Sequence, residues 1–548
     1  MAVFDFAAVA ARYGEAPAVR DRESALSYAA LGERVDARAG ALRRAGLAPG
    51  AGTRVALACG RDIATVVDAL ALVALECAIL PHSAAATTEE AERLFARFRP
   101  AWIVRAEDRE AVRWSNAGAE GAARKRASAD GDSRGNARAS GASESHASLI
   151  DALSPHEIAL ALPSSGSTGT PKLILISPSQ LRERIELRAR SIGLRENERM
   201  LAVIPFDHGY GFTNVMLGTL AHGMSLVIVE TPDPRQSPHP RAVIDALHLY
   251  EATLMPAPPI LLDLMTRFAR SDRADAGREG ARAGGIASAR QRAGAGVSAR
   301  ALMPLSLRAA ISVGSALSRE VHAAFTETFG VPLWQSYGAS EVGPAIINKS
   351  GVADGDLLAL GEPVDGVEVW ICGESGEPLA DGEEGEIVIR SPGIAHGYED
   401  DADGALIASS RFEGGVFFTG DFGVREDGAF RFRGRRKVMI AVSGRKVDPI
   451  EVEAVLMRHE GIADAAVTAH IEPGGREVVK AIVVARAVRA ADAAQAAGAA
   501  AASPSPLGAI DVTDFCVRHL AAYKVPRIVE FRESLPRNAL GKLLRARL

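Results

Sequence analysis

The chain has 548 residues, of which 47% are hydrophobic and 24% charged, and its formal net charge at pH 7 is −5. This length is too great for a single hydrophobic core, so two or more domains are expected. The proportions are those of a soluble globular protein, and the net negative charge gives no sign of a nucleic-acid partner, which would favour a basic domain.

The cysteine spacing and the N-terminal sequence indicate the cellular compartment of the protein. Cys59, Cys77, Cys372 and Cys516 show no CxxC spacing, which predicts neither a zinc site nor a disulfide framework and favours the reducing cytoplasm. The apolar stretch at the N-terminus has no cationic start, so no signal peptide is expected. No apolar run reaches the roughly 18 residues of a membrane span, so no transmembrane segment is expected.

Strand-like and helical patterns alternate through the first part of the chain. The segment 31–47 carries leucine and valine on one helical face. Alternation of this kind predicts an α/β body with buried sheets. Short apolar runs predict strands at 54–59 (RVALAC), 158–163 (IALALP), 173–177 (LILIS), 201–205 (LAVIP) and 225–230 (SLVIVE).

Segments of low complexity interrupt this pattern. Residues near 115–148 have almost no large apolar side chain, residues near 270–301 are rich in Ala, Gly and Arg, and residues near 486–507 are rich in Ala. Such segments bury too little apolar surface to order themselves, so all of them are interpreted as surface insertions or flexible loops.

The pattern of predicted secondary structure changes after about residue 415. Strand-like runs flank the turn 426–428, which predicts a hairpin. Asp448, Pro449 and Glu451 form a helix-start signal of cap, first-turn proline and capping-box carboxylate. Two further strand runs and a final helical run, 511–523, complete a small α+β unit. We therefore predict an N-terminal domain of 1–434 and a C-terminal domain of 435–548.

A loop of glycine and hydroxyl residues, SSGSTGTPK, lies between two of the predicted strands. Small residues let the backbone approach a ligand and direct N–H groups and hydroxyls at one point, which suits phosphate oxygens. Lys172 adds a positive charge at its end. The Walker pattern is absent, so the loop predicts nucleotide phosphates without naming the enzyme class.

Further motifs follow in a fixed order: QSYGASE from 335, TGD from 419, GRRK from 434, and PRNALGK from 536. Together with SSGSTGTPK, they resemble the adenylate-forming superfamily, which includes acyl- and aryl-CoA synthetases, luciferases and the adenylation domains of peptide synthetases. The resemblance covers residues from about 25 to 548. It implies a large α/β N-terminal domain, made of two α/β subdomains and a distorted β-barrel, with a small mobile α+β C-terminal domain.

The resemblance implies a reaction in two halves that uses ATP and Mg²⁺. A carboxylate attacks the α-phosphate to give an acyl-adenylate and pyrophosphate, and a thiol then displaces AMP. Glu341 would hold Mg²⁺, Asp421 would accept hydrogen bonds from the ribose diol, and Tyr337 would stack near the adenine. The other residues implied to bind the nucleotide or the thiol cofactor are Ser165, Gly166, Ser167, Thr168, Gly169, Thr170, Lys172, Gly314, Ser315, Ala316, Gly338, Ser340, Arg435, Ser443 and Gly444.

The C-terminal domain carries the implied catalytic and hinge lysines. PRNALGK matches the family loop whose lysine bridges the attacking carboxylate and the α-phosphate, which assigns that role to Lys542. Lys437 falls at the family hinge position. The family rotates its small domain about this hinge, so that 443–445 face the site for the thiol step.

The acid and its acceptor are less closely defined by the motifs. IPFDHGYG, 204–211, resembles the acid-binding motif of acyl- and aryl-CoA synthetases, with His208 beside the carboxylate. Phe206-Asp207 also resembles amino-acid-activating domains, where the aspartate binds the amino group. No carrier domain is expected after Lys542, so the thiol is expected to come from a separate molecule. Coenzyme A is favoured as the commoner partner; the alternative is a stand-alone enzyme that loads a fatty, aryl or amino acid onto the phosphopantetheine of a separate carrier protein.

Two functions of other classes are less consistent with the sequence. A serine hydrolase requires GxSxG, but 338–343 misses the second glycine by one place. A catalytically dead nucleotide-binding protein would not need Glu341, Asp421, Arg435 and Lys542 together.

Overall fold

The computed structural model describes residues 3–50, 52–105, 110–114, 158–163, 172–231, 237–282, 305–355, 357–373, 376–399, 406–407, 412, 415–435, 440–442, 445–472, 477–486, 507–520, 522–537, 543, 545 and 548. Helices α1 to α11 cover Phe6–Tyr13, Tyr28–Arg44, Ile63–Ala74, Thr88–Phe98, Pro178–Ile192, Gly218–Ala221, Pro240–Leu249, Pro259–Arg282, Arg319–Phe329, Pro449–Met457 and Ala509–His519. A π-helix covers Gly211–Leu217, and a 3₁₀ turn covers Ala522–Lys524.

Strands β1 to β14 cover Pro17–Arg20, Ala25–Ser27, Arg54–Cys59, Ala78–Ser83, Trp102–Val104, Ala111–Arg113, Leu160–Pro163, Leu173–Ile176, Arg199–Ala202, Ser225–Ile228, Leu254–Ala257, Ala309–Ser312, Leu333–Ala339 and Gly343–Asn348. Strands β15 to β28 cover Ala353–Asp354, Leu357–Leu358, Glu362–Pro363, Glu368–Cys372, Gly385–Arg390, Gly397–Glu399, Leu406–Ile407, Phe417–Glu426, Ala429–Arg435, Ile440–Val442, Arg445–Val447, Ile462–Ile471, Glu477–Ala485 and Ile528–Phe531.

Two large mixed sheets form the body of the molecule. One has the strand order β17-β14-β13-β12-β11-β9-β10-β1-β2, and the strands from β13 to β1 are parallel. The other has the order β21-β20-β8-β7-β4-β3-β5-β6, and β7, β4, β3 and β5 are parallel. Their strands are almost continuously apolar, as Arg54–Cys59 illustrates, because helices cover both faces of a parallel sheet. The two expected α/β subdomains are therefore confirmed.

A four-stranded antiparallel sheet, β18-β19-β22-β23, follows in the position expected for the distorted barrel. Its last two strands form the predicted hairpin. The turn residues Asp427 and Gly428 both have positive φ, 51° and 79°, which matches the right-handed twist of the strands. All neighbouring strands of this sheet pair antiparallel, whereas the central strands of the two larger sheets are parallel.

The C-terminal part is a small α+β unit with its own core. Strands β26, β27 and β28 form a three-stranded sheet, and helices α10 and α11 pack together beside it. Asp448 caps α10 by accepting a hydrogen bond from the Ile450 N–H, as predicted. Members of this core are Ile440, Val447, Val452, Leu456, Ile462, Val467, Val479, Val483, Val512 and Cys516. The boundary at 435 stays a prediction.

One of the predicted loops is partly wrong. Helix α8 continues through 270–282, where a flexible insertion is expected, and Arg270 donates hydrogen bonds to Thr328 and Glu327. Ala, Arg and Glu are strong helix formers, so the poverty in large apolar residues does not prevent a helix here. Residues 283–301, 115–148 and 487–506 lie outside the described residues. Across the part of the chain that is described, no helix is both long and apolar enough to span a bilayer.

Candidate active site

Several predicted site residues follow the carboxyl ends of neighbouring parallel strands. His208 follows β9, Gly314 follows β12, and Tyr337 lies near the end of β13. In the sheet the order is β13-β12-β11-β9, and Ser312 is in register with Gln335 on the neighbouring strand. Ligands of open α/β sheets bind at this edge, so the fold brings these motifs to one place although they are far apart in sequence.

The expected ribose and adenine residues are in direct contact. The Tyr337 hydroxyl donates a hydrogen bond to Asp421 Oδ2 at 2.7 Å. Asp421 is buried at 4% exposure, and its N–H is bonded to Thr419 Oγ1 at 3.0 Å, so hydrogen bonds within TGD fix the strand on which the carboxylate lies. Arg435 is directly opposite Asp421 in the β22–β23 ladder. The Asp421 carboxylate, an acceptor, thus lies next to the Tyr337 ring, and such a pair suits the ribose and base of a nucleoside.

The expected adenine-wall segment leaves the sheet immediately after β12. Gly314 and Ser315 are exposed, and Ala316 is half-buried. Gly314 has φ +88° with open space where a Cβ would stand, so the backbone here forms an exposed surface. Val313, just before this surface, is buried.

Glu341 belongs to a second cluster that the structure connects to the phosphate-loop lysine. The Tyr398 hydroxyl donates to Glu341 Oε1 at 2.7 Å, and Lys172 Nζ lies 5.1 Å from the centre of the Tyr398 ring. The contact follows from strand pairing, because Tyr398 in β20 is in register with Ile174 in β8, two residues after Lys172. One tyrosine thus has a cation over its ring and a carboxylate at its hydroxyl, which suits a phosphate–metal pair.

A buried arginine holds the loop that carries Glu341. Arg184 on α5 donates to the backbone carbonyl oxygens of Ser340 at 2.7 Å, Glu341 at 2.8 Å and Gly393 at 2.7 Å. Burial lowers the pKa of the Arg184 guanidinium to about 9, and the nearby Glu341 carboxylate opposes the change. Because the guanidinium bonds to backbone, it fixes the position of Glu341 without neutralising it directly.

Gly338 is required by close packing between two backbone segments. A Cβ at this position would lie 2.2 Å from the carbonyl oxygen of Gly343, just after a bulge in the β13–β14 ladder. We expect Gly338→Ala to displace the segment that carries Tyr337 and Glu341, and to lower adenylation on the order of 100-fold. Pyrophosphate exchange measures this loss. Gly40→Ala is the control, because the nearest atom to its Cβ is Arg44 Nη1 at 3.3 Å; equal losses in both variants would contradict the expectation.

His208 lies in the turn that starts the π-helix. Its Nδ1 accepts a hydrogen bond from the Tyr210 N–H at 3.3 Å, and its carbonyl accepts from the Phe212 N–H at 2.8 Å. A Cβ at Gly211 would lie 1.9 Å from the Pro205 carbonyl oxygen, so only glycine permits this turn. π-helical segments are frequent at functional sites. The motif therefore holds the imidazole on a fixed local scaffold.

The neighbouring Asp207 lies within electrostatic reach of a buried arginine, Arg61. Burial raises the pKa of its carboxyl, while the Arg61 guanidinium and a hydrogen bond with Ser83 oppose the change. Arg61 is itself buried and donates to the Val203 carbonyl at 2.7 Å. Because the Arg61 guanidinium already acts electrostatically on Asp207, this carboxylate is less suited to hold the amino group of a substrate.

Other predicted residues lie outside the described part of the chain, and their roles stay predictions. These are Ser165, Gly166, Ser167, Thr168, Gly169, Thr170, Lys437, Ser443, Gly444 and Lys542. Sequence reasoning also missed Arg184 and Tyr398. The signal for Arg184 was a cation at the centre of the apolar face of α5, beside Leu181 and Ile185, which are both buried. Tyr398 has no motif of its own, because it reaches the site through pairing of β20 with β8.

Comparison with known proteins agrees with this geometry. The family described as AMP-binding enzyme matches residues 6–399, and its C-terminal domain matches residues 451–542. The long-chain-fatty-acid–CoA ligase of Bacillus subtilis is 27% identical over 72% of this chain, and the match spans 61% of that relative's length. The 2-succinylbenzoate–CoA ligase of Geobacillus kaustophilus is 29% identical, covering 73% of this chain and 71% of its own.

A solved structure shows the same fold over nearly the whole chain. The amide bond synthetase McbA of Marinactinospora thermotolerans superposes with a TM-score of 0.69 at 26% identity, covering 98% of this chain and 97% of its own. The match includes both the large α/β body and the small C-terminal unit. The chain therefore belongs to the AMP-binding enzyme family, the adenylate-forming superfamily that includes the acyl- and aryl-CoA ligases.

Proposed function

We propose that the chain uses ATP to activate a carboxylic acid and transfers the acyl group to coenzyme A. In the first step a carboxylate oxygen attacks the α-phosphorus, and pyrophosphate leaves. In the second step the thiol sulfur attacks the carbonyl carbon of the adenylate, its proton is lost, and AMP leaves. The observation that carries the proposal is that Tyr337 contacts Asp421 and that Tyr398 contacts both Glu341 and Lys172, while Tyr337 and Glu341 belong to one segment at the end of β13.

The charges of Lys172 and Asp421 suit different parts of ATP. Both reactants of the first step are anions, so the site must supply positive charge where they meet. Lys172 is exposed at the end of the glycine-rich loop and suits the β- and γ-phosphates. Asp421 would repel the triphosphate and accepts hydrogen bonds only, so the ribose hydroxyls are its natural partners. When the nucleotide binds, the ribose hydroxyls would take the place of the Tyr337 hydroxyl as hydrogen-bond donors to Asp421.

The residues present fit a magnesium ion better than a resident structural metal. No group of His, Cys, Asp or Glu within the described ranges could enclose a metal by itself. Mg²⁺ commonly uses one or two carboxylates together with waters and substrate phosphates, and Glu341 can supply such a carboxylate. Bound there, the ion would neutralise phosphate charge. Tyr398 would orient Glu341, since its hydroxyl already holds one carboxylate oxygen.

Coenzyme A is the acceptor that the relatives support best. Both curated relatives described above are named CoA ligases, whereas McbA is named an amide bond synthetase. An amine acceptor is therefore the second candidate, and a carrier-protein phosphopantetheine is the third. An amino acid is the less favoured acid, because the Arg61 guanidinium already acts electrostatically on Asp207.

Acid-dependent pyrophosphate exchange tests the first step, and product analysis tests the second. Fatty, aromatic, dicarboxylic and amino acids are offered with ATP, and hydroxylamine traps each adenylate as a hydroxamate. The active acid is then incubated with coenzyme A, a phosphopantetheinyl carrier protein or an amine. We expect a thioester of coenzyme A and stoichiometric AMP. Failure of every acid to support exchange would refute adenylation, and formation of an amide alone would refute CoA transfer.

The hinge assignment of Lys437 makes a separate prediction. Proline at this position fixes φ, so Lys437→Pro should slow thioester formation from preformed adenylate by roughly tenfold or more relative to adenylation. Lys437→Asp is the matched control, since the family carries either residue there. Stopped-flow measurement of the two half-reactions checks the split. Equal losses in both halves would show that Lys437 is not the hinge.

A further inference from the structure

Arg188, one helical turn after Arg184 on α5, is buried with its charge unsatisfied. The residue is 2% exposed, and Nε, Nη1 and Nη2 all lack a hydrogen-bond partner. Burial of an unpaired guanidinium is strongly unfavourable, because the charge leaves water without gaining a partner. Arg184 shows the contrast, because its guanidinium bonds to three carbonyl oxygens. A ligand that supplies an anion would remove most of this cost.

Tyr210 provides a second unpartnered donor beside Arg188. The Arg188 Cζ lies 5.2 Å from the centre of the Tyr210 ring, and the Tyr210 hydroxyl is buried without a hydrogen bond. Within the described ranges, no carboxylate pairs with Arg188. Burial lowers the pKa of the guanidinium, and Tyr210 opposes this. Burial lowers the pKa of Lys349, and electrostatic repulsion from Arg308 and Arg188 lowers it further, so the charge around Arg188 is positive.

The position of this pair connects it to the proposed acid site. Residues four apart lie on the same face of a helix, so Arg188 points to the side of α5 from which Arg184 holds the Glu341 loop. Tyr210 is two residues after His208 and donates its backbone N–H to the imidazole. Arg188 thus contacts the segment that carries His208, the residue predicted to lie beside the substrate carboxylate, and is one helical turn from Arg184.

We propose that Arg188 and Tyr210 form a subsite for a second anionic group, a carboxylate or sulfonate at the far end of the acid substrate. The inference rests on the proposed acid activation and names its substrate class. One end of the acid would react beside His208, and the other would accept hydrogen bonds from the guanidinium and the phenol. A purely apolar acid would leave both donors buried and unpaired, so the site selects against it.

Matched acids and variants test the subsite. A series of α,ω-dicarboxylic acids is compared with the monoamides of the same length and with ω-sulfo acids, using pyrophosphate exchange. We expect wild-type kcat/KM to favour the dianionic acids on the order of 100-fold. The selectivity ratio should fall on the order of 100-fold in Arg188→Met, recover partly in Arg188→Lys, and fall about tenfold or less in Tyr210→Phe. Carboxylate and sulfonate arms show which anion fits better.

Binding and stability measurements separate selectivity from folding. Calorimetric titration of wild-type protein should show tighter binding of the diacid than of its monoamide, and thermal melts report whether each variant folds. If Arg188→Met does not fold, the Arg188→Lys and Tyr210→Phe ratios decide. Activity with monocarboxylic acids alone, or an equal loss for diacid and monoamide in the variants, would overturn the subsite and leave the proposed function standing. No exchange with any acid would overturn both.

Discussion

Lys542→Ala is expected to reduce acid-dependent pyrophosphate exchange roughly 10²–10³-fold, because one positive donor to the transition state is lost. In the proposed reaction the lysine ammonium lies between the attacking carboxylate and the α-phosphate, where negative charge concentrates. The thiol step does not need this contact. Transfer of the acyl group from chemically prepared adenylate to coenzyme A should therefore change by less than about threefold.

The structure describes anchors on both sides of the lysine loop. Arg537 forms an antiparallel bridge with Leu543, and its guanidinium donates to Asp464 at 2.9 Å. Arg545 donates to Glu453 at 2.8 Å and to the Val467 carbonyl at 2.7 Å. Leu543 itself packs in a small apolar cluster with the sheet of the C-terminal unit. A chain segment held at both ends can present one side chain reproducibly, which transition-state contacts require.

Lys524→Ala is the matched control in the same unit. Lys524 Nζ already bonds to both carboxylate oxygens of Glu451, at 2.6 and 2.7 Å, so it is engaged within the protein. A partly exposed ion pair of this kind contributes roughly 0–1 kcal/mol, and exchange should stay near wild type. Comparable losses in both variants, or wild-type exchange in Lys542→Ala, would contradict the assignment of Lys542.

Local signals in the sequence predicted much of the fold. RVALAC is β3 with the predicted bounds, and the Asp448 cap, the 426–428 turn and the strands on either side of the phosphate loop are all confirmed. These elements depend on burial period, turn chemistry and caps, which neighbouring residues determine. The error at 270–282 has the same origin: the segment is poor in large apolar residues but rich in helix formers.

The site could be predicted only where a motif carries it. Asp421, Tyr337 and Glu341 belong to short motifs, whereas Tyr398 becomes a neighbour of Lys172 only when β20 pairs with β8, more than 200 residues apart. Arg184 and Arg188 lie in a helix whose other charged residues are half-buried or exposed, so the sequence alone does not separate buried from solvated arginines. Strand pairing and side-chain burial are long-range properties, and a single sequence reports them weakly.

Arg184→Met is expected to lower adenylation on the order of 100-fold and to destabilise the fold by about 2–4 kcal/mol. The substitution keeps an apolar stem of similar length but leaves the carbonyl oxygens of Ser340 and Gly393 without the donors that hold them. The Arg184 stem also packs against Gly343 and Gly393, where a Cβ would lie 3.0 and 2.8 Å from Arg184 Cγ. The loop that carries Glu341 should therefore move.

The magnesium dependence of the reaction distinguishes positioning of Glu341 from a general loss of stability. If Arg184 places Glu341, Arg184→Met should require several-fold more Mg²⁺ for half-maximal exchange, about threefold to tenfold for a displaced carboxylate ligand. Arg190→Met is the matched control, since Arg190 lies on the same helix and is exposed. A mere fold defect would lower the melting temperature and the active fraction but leave the Mg²⁺ midpoint of the remaining enzyme unchanged. That result would show that the hydrogen bonds of Arg184 stabilise the fold but do not position Glu341 as a metal ligand.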